Sequence, residues 1–149
     1  MKLTNFRLEN EPCPRGIEVD GNVLDLHNSF CFEELHQDIA ERTVTMLWRP
    51  SGYGASPLPT NGFELVFSDV VYFEVTPRDQ EIPDFGEDFC LGGVDPVPHD
   101  DDTFELLAHG VPYPPNFPDE NFHLWFCFRS GQHVRIGAGS AEFRSLPTK

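Results

Sequence analysis

The stretch Asn121 to Phe143, NFHLWFCFRSGQHVRIGAGSAEF, constrains the fold more than any other part of the chain. Its first arm alternates: Phe122, Leu124, Phe126 and Phe128 share one side, and His123, Trp125, Cys127 and Arg129 the other. Its second arm sets Val134, Ile136 and Ala138 against His133, Arg135 and Gly137. Alternation with a period of two, bounded by turn residues, marks half-buried strands. A two-residue loop would mix the faces. A three-residue loop, Ser130-Gly131-Gln132, places Phe128 opposite Val134, Phe126 opposite Ile136, Leu124 opposite Ala138 and Trp125 opposite Gly137. That register keeps one face apolar, whereas a one-residue slip loses it.

The remaining chain repeats this theme in shorter pieces. Leu3 to Glu9 alternates as an opening strand. Asp20-Gly21 between Ile17-Glu18-Val19 and Val23-Leu24-Asp25-Leu26 predicts a type I′ hairpin with Ile17 opposite Leu24, because both turn residues tolerate positive φ. Alternation then continues through Leu26, Asn28, Phe30 and Phe32 as one long bent strand. Glu33 to Glu41, EELHQDIAE, reads as a short helical turn with Leu35 and Ile39 as its apolar i,i+4 pair. Val44, Met46 and Trp48 share one face of a strand, and Pro50 to Gly62 is a loop. Phe63 to Val75 reads as a second hairpin, with Ser68-Asp69-Val70 as its loop. Phe89 to Val94 is a short strand. Thr103 to His109 is ambiguous between strand and helical turn, and Val111 to Pro118 is extended or loop.

Fourteen Phe suit a large apolar core, and fourteen Pro with twelve Gly favour short strands joined by turns. At 149 residues the chain has the length of one ordinary domain. The expectation is therefore a single all-β domain over residues 1–149. It is a mostly antiparallel β-sandwich or flattened barrel with one or two short helical turns. The acidic, proline-rich segment at about 76–121 forms loops over it.

Charge narrows the function. The net charge is −15, and residues 78–105 carry ten acids against Arg78 alone. Such a surface repels nucleic-acid phosphate and anionic lipid and favours a basic protein partner or simply solubility. No apolar run has the ~20 residues of a membrane span and no secretory leader is evident, so a cytoplasmic location is expected. The four cysteines, Cys13, Cys31, Cys90 and Cys127, form no CxxC pair and read as small hydrophobes in a reducing compartment. Cys31 and Cys127 lie in identical Phe-Cys-Phe triplets, opposite the Phe face.

Motifs that carry chemistry are scarce. The six histidines form no HExxH, HxH or Cys/His cluster. On the three-residue register, His123 and His133 share a face but stand roughly 20 Å apart, so no metal is expected. His99-Asp100-Asp101-Asp102 lacks the alternating acids and glycine of a calcium loop. There is no GxSxG elbow, and Gly137 to Gly139 lacks the strand-to-helix context of a phosphate cradle.

The candidate binding residues are therefore Asp95, His99, Asp100, Asp101, Asp102 and Tyr113 of the acidic segment, with Trp125 and Tyr72 as aromatic residues off the core face. No catalytic residue, metal or cofactor is expected. Two functions fit. One is a non-enzymatic protein-interaction module that binds a basic partner, as immunity proteins do. The other is a small-ligand or carbohydrate-binding β domain, with or without hydrolysis, built on Trp125, Tyr72 and nearby carboxylates.

Overall fold

The computed structural model describes residues 1–9, 14–53, 61–83, 88–99 and 121–147. These residues fold as an all-β protein with no helix among them. The strands are β1 (Lys2–Thr4), β2 (Arg7–Leu8), β3 (Gly16–Val19), β4 (Asn22–Asp25), β5 (Phe30–Asp38), β6 (Thr43–Pro50), β7 (Phe63–Thr76), β8 (Leu91–Pro98), β9 (Phe122–Phe128) and β10 (His133–Ser145). The main sheet runs in the order β5-β6-β7-β10-β9-β8 and is antiparallel, apart from β1, which joins β10 in parallel at Ser140 to Glu142. It curls into a half-barrel. A bond from Phe32 N–H to the Phe89 carbonyl, 3.1 Å, ties its β5 end back to the chain just before β8. A small β2-β3-β4 sheet contributes Ile17, Val19 and Leu24 to the same core.

Inside the curl, the alternating side chains do as their pattern demands. Phe122, Leu124, Phe126 and Phe128 are buried, as are Val44, Met46 and Trp48 of β6 and Phe63, Leu65 and Phe67 of β7. Trp48 is fully buried at the centre. Its ring lies 5.5 Å from Phe32, 6.0 Å from Phe63, 6.4 Å from Phe126 and 6.3 Å from Phe128. Offset and tilted contacts at these spacings add to the effect of area burial. The Asp20-Gly21 turn has positive φ at both residues, 50° and 77°, and pairs Ile17 with Leu24.

Several expectations are corrected. The β9–β10 register pairs Phe126 with Val134 and Leu124 with Ile136, two residues away from the three-residue loop. The loop takes in Arg129, and Phe128 N–H closes it on the Gln132 carbonyl at 2.9 Å. A shift of two preserves every face, so alternation alone does not distinguish the registers. Trp125 consequently stands opposite Arg135, not Gly137.

Glu33 to Glu41 is not helical. Its residues through Asp38 extend β5, with Leu35 opposite Met46, and Ile39 to Arg42 make the turn into β6. So short a helix is marginal without packing, and the β6 ladder satisfies the same backbone groups. The supposed apolar pair does not form, for Ile39 is 79% exposed.

Phe63 to Val75 is not a hairpin but one continuous strand along β10. The turn-like residues mark a bend instead. Asp69 has φ 55°, and the register shifts by one between Gly137 and Ala138, leaving Val71 unmatched. A bulge of this kind bends a strand without reversing it.

The opening strand is split by Asn5 at φ 66°, so β1 joins the main sheet and β2 the small one. The long strand through Leu26 and Asn28 is interrupted after Asp25. There the Asp25 carboxylate accepts the N–H groups of His27 (2.9 Å) and Asn28 (3.0 Å) and the Asn28 amide (2.7 Å). An aspartate that bonds the next backbone groups offers the chain a turn in place of a ladder. Burial pushes its carboxyl up, but these bonds outweigh that and hold it below its ordinary value.

Within the acidic segment, Leu91–Pro98 forms β8 rather than loop, longer than the strand expected at Phe89 to Val94. It tolerates Pro96 and Pro98 because it lies at the end of the strand order. The expectations for Thr103 to His109 and Val111 to Pro118 lie outside the described residues. Among the described residues no helix is long and apolar enough to cross a membrane.

Candidate functional site

The outer face of the same strands carries the polar and aromatic residues. Strand register sets Asp95 of β8, Trp125 of β9, Arg135 of β10 and Glu74 of β7 side by side in one row across four strands. In the next row, Val97 pairs with His123 and Gly137 with Tyr72. The His123 ring lies over bare Gly137, where an added Cβ would fall 2.4 Å from Nε2. A glycine here permits the close approach of ring to backbone.

These groups interlock. The Tyr72 and His123 rings stack at 4.8 Å and 26°. The Arg135 guanidinium sits 5.1 Å from the Tyr72 ring centre. Its Nε donates to His123 Nδ1 at 3.2 Å, and its Nη2 donates to the Pro98 carbonyl at 3.1 Å and the His99 carbonyl at 3.5 Å. Tyr72 OH donates to Glu74 Oε2 at 2.5 Å. Trp125 and His133 rings meet at 5.1 Å. One guanidinium thus joins the end of β8, the start of β9 and the adjoining strand β7. Its planar fork of donors suits that task better than a lysine would.

Burial, then the charges of Arg135, His99 and the amino terminus, push the His123 imidazole down to about 4. Burial also lowers His133. His123 is therefore neutral at pH 7, and because Nδ1 accepts from Arg135, its proton sits on Nε2. The nitrogen that would act as a base is already occupied. The arrangement is a neutral imidazole held by a guanidinium cation.

Of the residues singled out from sequence, Tyr72, Asp95, His99 and Trp125 come together on this face. Asp100, Asp101, Asp102 and Tyr113 lie outside the described residues. Asp95 is 2% exposed and Trp125 7%, whereas Tyr72 is 37% exposed. His123 and Arg135 are central to the cluster and were not among the candidates. The signal for them was present: both alternate onto the Trp125 face. As an isolated histidine, His123 reads from sequence only as a metal ligand. With the observed register, His123 and His133 are four positions apart along the ribbon, roughly 13 Å. Among the described residues, no group of three or more His, Cys, Asp or Glu is placed to hold a metal ion.

A thiol–imidazole contact lies beside the start of β8. Cys90 Sγ is 3.6 Å from His27 Nδ1, but that nitrogen bonds the Leu91 carbonyl at 2.5 Å. It donates there, so it cannot accept the thiol proton, and the pair lacks the nucleophile–base arrangement of a catalytic dyad. Among the described residues, Cys31, Cys90 and Cys127 form no disulfide. Close by, Cys31, Phe32, Arg49 and Phe89 line an open, mostly apolar cleft of about 470 Å³. In comparisons with known proteins, no family model matches the chain, and no curated protein or solved structure is significantly similar to it.

Proposed function

We propose that this chain is a non-enzymatic interaction module, acting in the cytoplasm, that binds and neutralises a basic protein partner in the manner of an immunity protein. The observation that carries this reading is the charge: −15 overall, with ten acids against one base between residues 78 and 105. Charge complementarity of that size speeds encounter and selects the partner by sign. The outer-face cluster adds indirect support, because its histidine is neutral with Nδ1 occupied and its guanidinium is committed to main-chain carbonyls. A carbohydrate site on the same face would need the Trp125 ring open to a ligand, and that ring is buried.

Polylysine binding, followed by titration calorimetry at low and high salt, tests the reading. We expect affinity to fall at least tenfold between roughly 50 and 200 mM salt, a range over which exposed charges become strongly screened. We expect a similar fall when Asp100, Asp101 and Asp102 are changed together to Asn. Binding indifferent to both salt and the triple substitution would overturn it.

A further inference from the structure

Strand β7 runs the whole length of β10 but is covered by β6 only from Phe63 to Phe67. Val70 N–H still bonds the Arg42 carbonyl, 2.9 Å, in the β5–β6 turn. Beyond it, among the described residues, no strand pairs with the second edge of β7 from Val71 to Thr76. Val71 is 75% exposed and Val75 41%, with Tyr72 between them and Ile39 on the turn at the head of this edge. Among the described residues, four of the seven exposed large hydrophobic side chains thus belong to this one edge or to the turn tied to it.

An uncovered edge with exposed apolar side chains is a template for another strand. The charge beside it selects which strand. Asp69 and Glu74 are exposed along the edge, and Glu41 is exposed on the adjoining turn. The cations nearby are Arg42 on that turn, Arg78 just past Thr76, which pairs with Asp88 at 2.9 Å, and Arg135, which is bound to the His99 and Pro98 carbonyls. A second copy of this chain would bring its own Asp69 and Glu74 to the same edge, on a chain whose net charge is −15. Like charges across a strand pair are unfavourable, and opposite charges favourable.

We infer that the Val71–Thr76 edge of β7 receives an extended, basic segment of the partner as an added strand. The segment alternates apolar residues, set beside Phe73 and Val75, with Lys or Arg set beside Glu74. The inference rests on the basic-partner reading and specifies where and how the partner docks.

The probe is a capped eight-residue peptide of alternating lysine and valine, titrated into the isotope-labelled protein and followed by amide NMR and hydrogen exchange. The expected result is shifted and slowed amides from Val71 to Thr76. Affinity should fall at least tenfold for the fully N-methylated peptide, which keeps the charge but cannot form a ladder, and for Glu74→Lys, whose amide spectrum away from the edge should match that of the parent. Equal binding by the N-methylated peptide, or changes confined to residues 78–105, would overturn the edge inference and leave the basic-partner reading standing. No salt-sensitive binding anywhere would overturn both. Protection of the edge that grows with protein concentration alone would make a second copy its occupant and overturn the inference.

Discussion

The two faces of the β7–β10–β9–β8 sheet are built from the same strands, residue by residue, yet they are held by different forces. On the inner face Phe63, Phe67, Phe126, Val134 and Ile136 meet other carbon surfaces and need only shape. On the outer face His123, Trp125 and Asp95 are also buried, but His123 is held by a directed bond from Arg135 and by stacking on Tyr72. Burial of apolar surface is non-directional, whereas a buried polar group must keep its partner or bear its full desolvation cost. The inner face should therefore respond to lost volume and be insensitive to pH. The outer face should respond to lost partners and to protons.

The largest effect belongs to the inner face. Trp48→Ala removes the ring that joins β5, β6, β7 and β9, and we expect a loss of about 3–5 kcal/mol in urea unfolding. Trp48 Nε1 is buried with no hydrogen-bond partner among the described residues. Trp48→Phe should lose much less, since it keeps a ring in the site and, like Ala, removes that orphan donor. Equal losses for the two variants would show that ring volume is irrelevant here.

Next comes the outer face. Arg135→Met leaves His123 Nδ1 and the Pro98 carbonyl without this donor, and we expect a loss of about 2–3 kcal/mol by the same measurement. The comparison sharpens with the double variant Arg135→Met/His123→Phe. Replacing both partners by apolar groups should recover part of the loss. Strict additivity would mean that the two side chains are not coupled.

The third effect is pH-dependent. The folded state lowers His123 to about 4 from 6.5, so the unfolded chain binds the extra proton between those values. Stability from this group is complete above about pH 6.5 and is lost as pH falls toward 4. At pH 4.5 the loss relative to pH 7 should be roughly 2 kcal/mol. It should be absent from the corresponding difference in His123→Phe, which isolates it from carboxylate titrations. His133, lowered in the same direction, adds to the residual slope. A parent and variant with identical pH profiles would place His123 in solvent-like surroundings and dissolve the contrast between the faces.

Alternation named the inward-facing residues of β6 and β9 and the Asp20-Gly21 hairpin, because side-chain parity and positive-φ turn residues are local properties. Parity specifies register only to within an even shift. The two-residue difference at β9–β10, which puts Arg135 rather than Gly137 beside Trp125, was settled by loop closure at Phe128 and Gln132. Asp69 and Asp25 show the same limit in another form. Each carries a turn signal, yet Asp69 bends a strand and Asp25 ends one, and what distinguishes them is whether a neighbouring strand continues to pair. Glu33 to Asp38 became strand for that reason too, against its helical composition. The outer-face cluster was half legible: Trp125, Tyr72, Asp95 and His99 stood out as residue types. Their meeting around Arg135 and His123 required four strands separated in sequence to align, and long-range pairing decides that.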